Sequence, residues 1–274
     1  MSQLKFSVSD SKCTKCDACV NDCPAHIIER KDSVPYIPAA SEECCIQCQH
    51  CLAVCPNGAI SIFGLKPENS LPIKTGSLPS YKQMKVFARG RRSVRQFRPE
   101  NVPTAQITEL LADLAHAPTG CNDRDLVFSV VDNRKDIERL LTKIVAAIEA
   151  DTNPSVPEFL RRAAAAFRQN GTDGFFRGSP HLLVVSPGNN ATCAHEDAVL
   201  ALSYFELLAQ SAGLGTTWCG MLKITADAVA AIRPLLGLEP DKFFFAMMFG
   251  LPSVKYARTV QRDSAATVRR ITCK

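Results

Sequence analysis

The sequence predicts an α+β chain of two modules, a small cysteine-rich one followed by a larger one in which helices flank a sheet. Three observations carry this. Nine of the 13 cysteines fall within the first 55 residues, eight of them in two runs of identical spacing. A stretch rich in proline, glycine and serine then separates residues 1–64 from residues 81–274. Beyond it, helical periods of apolar residues alternate with short β-branched and aromatic runs, without a further internal repeat.

Composition narrows the class. Of 274 residues, 46% are hydrophobic and 22% charged, ordinary globular usage that excludes a disordered or fibrous chain. No apolar run approaches the roughly 20 residues a membrane span needs. The first dozen residues are polar where a signal peptide has its apolar core. The expectation is a cytoplasmic protein with no membrane partner. A net charge of +5 is too mild to argue for nucleic acid.

The cysteine runs read Cys13-x2-Cys16-x2-Cys19-x3-Cys23-Pro24 and Cys45-x2-Cys48-x2-Cys51-x3-Cys55-Pro56. Secreted disulfide scaffolds spread their cysteines through the fold, so dense cysteine at one end of an intracellular chain points to metal. Thiolates are soft ligands that suit iron–sulfur clusters or zinc. Three cysteines at i, i+3 and i+6 wrap one face of a cubane while the fourth reaches away. A pair of structural zinc sites is the alternative, which four cysteines in so tight a run disfavour. Residues 1–64 resemble bacterial two-cluster 4Fe-4S ferredoxins throughout. In that pattern the fourth cysteine of each run serves the other cluster. The resemblance therefore implies one cluster on Cys13, Cys16, Cys19 and Cys55, and a second on Cys45, Cys48, Cys51 and Cys23. Ile27-Ile28 and Ala59-Ile60 follow at matching offsets as apolar cover. Cys44 is a spare thiol, and His26 and His50 are surface or packing residues.

Residues 65–80 form a connector in an extended conformation, not an element. Charge changes across it, from net −2 over residues 1–65 to net +7 over the remainder. That asymmetry suits an acidic module docking beside a basic one.

In the larger module, Ser80 with Gln83 makes a capping box, after which Tyr81, Met84 and Phe87 step at helical spacing. Ile107, Leu110, Leu111, Leu114 and Ala115 form a second helix face. Ile137, Leu140, Leu141, Ile144, Val145 and Ile148 form a third. Ser155 and Glu158 box the start of an alanine-rich helix that runs to Phe167. A long helix from about His195 to Ala212 stops at Gly213, and a shorter one follows Thr225. Strands are predicted at Leu126–Val131, His181–Ser186 and Phe243–Phe249.

No phosphate-binding Gly-x4-Gly-Lys-Ser/Thr loop occurs. Gly213-Leu214-Gly215 begins like a dinucleotide fingerprint, but it ends a helix and Trp218 stands at the third glycine position. What stands out is Arg91-Arg92-Ser93-Val94-Arg95, three guanidinium groups and a hydroxyl in five residues. Arginine forks match phosphate oxygens, although a basic run taken alone is more often a solvated turn.

Companions make the run specific. RRSVRQFRPENVP, AHAPTGCN (Ala115 to Asn122), the segment Ala212 to Gly220, and Gly250-Leu251-Pro252 with the trailing basic residues occur in the order of the FMN-dependent nitroreductase family. Residues 85–262 resemble that family, which implies a sandwich-like α+β fold binding FMN at the interface of an intertwined homodimer. The resemblance implies that Arg91, Arg92 and Ser93 bind the phosphate or ribityl end. Arg262, with Arg258 or Lys255, closes around the same phosphate, and Arg95 faces the pyrimidine edge. Pro118, Thr119 and Asn122 come from the second subunit, and backbone at Cys219 and Gly220 lies near the reactive nitrogen. Asp197 sits where the family often has an acid. No catalytic side chain is assigned. Cys219 reads as a buried spectator thiol, and His116 and His195 as packing or surface residues. Two departures bear on substrate choice: Leu251 stands where Tyr is common, and Asp123-Arg124-Asp125 replaces a frequent Gln-Pro.

The functional expectation is an FMN- and iron–sulfur-dependent oxidoreductase of the nitroreductase type. Its clusters feed electrons to FMN, which transfers hydride to a nitroaromatic or quinone-like acceptor. An external ferredoxin or NAD(P)H is the donor. A halogenated or flavin substrate is a narrower option. The alternative is an electron carrier or redox sensor that passes electrons to a partner protein.

Overall fold

The local rules laid down by the cysteine runs are visible at once in the backbone. The computed structural model describes residues 4–262 and 266–273. The chain divides into two compact units. One comprises the residues up to Pro79 together with Cys121–Asp123, the other Ser80–Gly120 and the chain from Arg124 onward.

In the first unit, β1 (Ser7–Val8), α1 (Ala18–Asp22), β2 (Glu29–Lys31), β3 (Val34–Tyr36), α2 (His50–Val54) and β4 (Ile60–Ser61) follow in order. β1 pairs antiparallel with β4, and β2 with β3. The duplication extends to dihedral angles. Lys15 and Asp17 take φ of 58° and 61°, and their counterparts Gln47 and Gln49 take 56° and 60°. These left-handed residues bend each run around its own cysteines and open a five-residue helix at the third. Ile27, Ile28, Leu52, Ile60 and Ile62 bury together with Cys19, Cys23 and Cys51 in one core.

The second unit contains α3 (Tyr81–Gly90), α4 (Thr104–Asp113), β5 (Leu126–Val131), α5 (Arg134–Ala150), α6 (Glu158–Asn170), β6 (His181–Pro187), α7 (Ala194–Ser211), β7 (Gly215–Trp218), α8 (Gly220–Ala228), α9 (Ile232–Leu235) and β8 (Phe245–Gly250). The strands form one antiparallel sheet in the order β5-β6-β8-β7. Alternation along the two central strands builds two cores. Leu182, Val184, Ala246 and Met248 pack with the apolar faces of α5, α6, α8 and α9. Leu183, Val185, Met247 and Phe249 pack with α4 and α7. Because helices cover both faces, these strands read as unbroken apolar runs rather than alternating ones. The α+β layering matches the predicted fold class.

The capping box at the start of α3 is present, with Ser80 Oγ accepting from the Gln83 N–H and Gln83 Oε1 from the Ser80 N–H. All six apolar residues predicted for the third helix face are buried on α5. Gly213, at φ 78°, takes the left-handed turn after α7 that glycine enters at no steric cost. Four boundaries differ from expectation. Ser155 caps nothing; α6 begins after Pro157, whose carbonyl accepts the Leu160 N–H. Thr225 lies inside α8, which starts at Gly220. β8 starts at Phe245, two residues late. β7 lies where no strand is predicted: Thr216, Thr217 and Trp218 find a partner strand in β8, which short-range signals do not show.

His181 is fully buried at the start of β6, stacked on Phe249, and its Nε2 accepts the Val102 N–H at 2.8 Å. Its Nδ1 lies near the Val131 backbone without an aligned hydrogen bond. Burial holds its pKa below the ordinary histidine value. The unfolded state therefore takes up a proton near pH 6.5 that the folded state resists, so stability is full above that pH and falls as pH drops below it. Thermal melts between pH 7.5 and 5.5 should show this decline, and His181→Gln should flatten it.

Candidate functional site

The chain leaves α3 at the basic run and continues extended. Ser93 bridges Thr216 on the free edge of β7, and the Val94 N–H donates to the Thr216 carbonyl at 2.8 Å. The Thr217 hydroxyl donates to the Val94 carbonyl. Farther on, Phe97 bridges Pro252, and the Arg98 and Ser253 N–H groups donate to the Leu251 and Gln96 carbonyls. The strip thus laces β7 to the segment after β8. Gly215 allows it: a Cβ there would stand 2.7–2.8 Å from the Val94 side chain. The arrangement frames a cavity of about 450 Å³ whose wall includes Phe87, Gly90, Arg92, Gly215, Lys255 and Tyr256. That volume lies within the range of small-molecule and cofactor sites.

The structure separates the two leading arginines. Arg91 turns inward and places Nη1 3.0 Å from Glu206 Oε1, a carboxylate with only 8% of its side chain exposed. Thr216 Oγ1 reaches the same oxygen at 3.5 Å. Arg92 instead lines the cavity, as does Lys255. Ser93 sits on the sheet edge, and exposed Arg95 donates to the Ser93 carbonyl at 3.3 Å. Arg258 is exposed. Arg262 lines a second cavity, of about 320 Å³, with Arg89 and Thr259.

In the loop after α4, Pro118 is exposed and Thr119 Oγ1 accepts the Arg124 N–H. Asp197, buried in the first turn of α7, accepts the Gly120 N–H on both carboxylate oxygens, at 3.0 and 3.2 Å. Asn122 groups with the first unit. The Cys219 thiol is buried in the core beneath the sheet, 3.7 Å from the Phe175 carbonyl, and burial pushes its pKa up to about 12. Its N–H is spent on Ala246, while Gly220 opens α8. His195 stacks on Phe243 and His116 is exposed. Sequence reasoning missed Glu206 and Tyr256. The signal for Glu206 was a lone acid between Phe205 and Leu207 on an otherwise apolar helix face.

The donor set suits a phosphorylated cofactor. A guanidinium and an ammonium line a cavity bounded by glycine backbone, and a phosphate dianion is what that pair binds best.

In the first unit, a cavity is lined by Cys13, Cys16, Cys19 and Cys55 together. Cys23, Cys45, Cys48 and Cys51 form the other neighbourhood, close enough that their charges help raise the pKa of Cys45 and Cys51. Burial is the larger cause and pushes the Cys51 thiol up to about 12. All eight thiols are free of disulfides. Among the described residues no three histidine, cysteine or acidic side chains converge on a single-ion site. The first set of thiols lines a volume instead, and left-handed residues at matched positions shape the backbone of both runs.

Residues 88–251 match the nitroreductase family, more than half of the chain, and residues 12–60 match a 4Fe-4S dicluster domain. The chain belongs to the nitroreductase family. Among curated proteins, this nitroreductase-family chain is similar to an iodotyrosine deiodinase of Thermotoga neapolitana, 25% identical over 138 residues, 49% of this chain and 72% of that protein. Among solved structures it is similar to a nitroreductase with bound FMN from Bacteroides fragilis, with 22% identity and a TM-score of 0.54 over 67% of this chain and 97% of that one. It is also similar to a nitroreductase with bound FMN from Desulfitobacterium hafniense, with 18% identity and a TM-score of 0.52 over 70% and 100%. The architecture is that of an oxidoreductase, an iron–sulfur module preceding a nitroreductase fold. No helix among the described residues is long and apolar enough to cross a membrane.

The inward arginine has a measurable consequence. Arg91→Ala leaves the Glu206 charge buried without its partner and should lower unfolding free energy by on the order of 3 kcal/mol. Arg92→Ala should change it by less than about 0.5 kcal/mol. Urea melts of the two variants distinguish these outcomes.

Proposed function

We propose that the protein is an iron–sulfur flavoprotein in which two 4Fe-4S clusters supply electrons to FMN for reduction of an electrophilic small molecule, a nitroaromatic or a quinone. The observation that carries this reading is the joining, in one chain, of a dicluster domain to a nitroreductase fold with a basic-lined cavity. Bound FMN supplies hydride transfer, chemistry that no side chain performs.

The residues of this chain bind and orient. Cys13, Cys16, Cys19 and Cys55 hold one cluster, and Cys45, Cys48, Cys51 and Cys23 the other. Arg92 and Lys255 hold the flavin phosphate. Arg91 fixes the strip from beneath through Glu206, so that Ser93 and Arg95 are presented at its edge. Asp197 tethers Gly120 and thereby sets the path of the loop after α4. Assembly as a homodimer belongs to the proposal; it would cover Val199, Leu200 and Tyr204, which α7 exposes although it packs its other face in the core.

A halogenated aromatic is the second acceptor class, favoured by the similarity to the deiodinase. Anaerobically purified protein should contain about eight iron and about eight labile sulfide per chain, with about one FMN. The double variant Arg92→Ala with Lys255→Ala should lose FMN at least about tenfold more readily while keeping its iron. Unchanged FMN retention would refute the phosphate assignment. Stopped-flow under argon, with reduced ferredoxin, NADH and NADPH as donors, should show flavin reoxidation by a nitroaromatic, a quinone or a halogenated phenol. Reoxidation by a redox protein alone would favour a carrier over an enzyme.

A further inference from the structure

The two cysteine runs are copies in backbone but not in their walls. Where the first has Thr14, the second has Ile46. Thr14 lines the cavity with Cys13, Cys16, Cys19 and Cys55. Its hydroxyl accepts from Asn57 Nδ2 at 3.4 Å. The Ala59 N–H donates to Cys55 Sγ at 3.2 Å. Cys16 is exposed to solvent.

The second set is drier. Cys23 and Cys51 are buried, Cys45 and Cys48 half-buried. Ile46 carries no side-chain donor where the first run has Thr14. The first run also carries two acids, Asp17 and Asp22, whose charge opposes reduction where it is unpaired. Asp17, however, pairs with Arg30 at 3.2 Å, and Asp22 lies in solvent against His50, where its field is screened.

Reduction adds negative charge to a cluster. Hydrogen bonds to its sulfurs and access to water stabilise that charge and raise the potential, whereas an apolar wall lowers it. We propose that the site formed by Cys13, Cys16, Cys19 and Cys55 holds the higher-potential cluster and takes the first electron, and that Thr14 sets much of the difference. This rests on the two-cluster reading, and iron and sulfide content measured on the same samples separates a failure of that reading from a failure of the ordering.

The experiment is a potentiometric titration of the anaerobic holoprotein with dithionite as the electron source, followed by low-temperature EPR. Each cluster takes one electron, and the expected result is two steps at distinct potentials. Thr14→Val should move only the upper step, to lower potential. Ile46→Thr should move only the lower step, to higher potential, and serves where Thr14→Val fails to load iron. A single shared step in the native protein, or a Thr14→Val shift confined to the lower step, would overturn the ordering. Thr14→Val and Ile46→Thr both leaving the potentials unchanged would overturn the role given to the hydroxyl.

Discussion

The crossing of Val94 over Gly215 is the contact on which the nitroreductase-fold unit's site depends. Extended backbone reaches a sheet edge only where no side chain intervenes, and a Cβ at position 215 would meet Val94 well inside van der Waals contact. Once the strip lies on β7, its hydrogen bonds to Thr216, Leu251 and Ser253 follow from strand geometry. The ends of α3 and α7 and the segment after β8 then face one cavity. Glu206 adds the electrostatic half of the same constraint: a buried carboxylate needs a partner, and Arg91 is the group the strip brings to it.

This arrangement explains why two adjacent arginines do different work. Along extended backbone, neighbouring side chains point to opposite sides. Arg91 goes to the helix layer, and Arg92 goes to the cavity. The two leading arginines of the run are therefore one paired with a buried carboxylate and one facing a cavity, not a uniform patch.

The dicluster unit follows another logic. Its core is small; Cys13, Cys16, Cys19 and Cys55 line one cavity, and of these Cys19 and Cys55 also pack with the isoleucines of that core. Left-handed residues at matched positions shape both runs, so duplication supplies two equivalent frames. Side-chain differences such as Thr14 against Ile46 then have a common backbone to act upon.

Much was legible in the sequence by itself. The cysteine spacing, the capping box at Ser80, the buried face of α5, the glycine after α7 and the motifs around Arg91 and Gly215 are local patterns, set by the helical period, turn chemistry or ligand spacing. Tertiary structure decided the rest. β7 exists because β8 offers it a partner, and its four residues carry too weak a local signal to declare a strand. The division of labour between Arg91 and Arg92 required Glu206, 115 residues away along the chain, and the quiet fate of Cys219 required the core that closes over it. Such outcomes depend on which groups meet after folding, and a one-dimensional pattern records only what each residue prefers before they do.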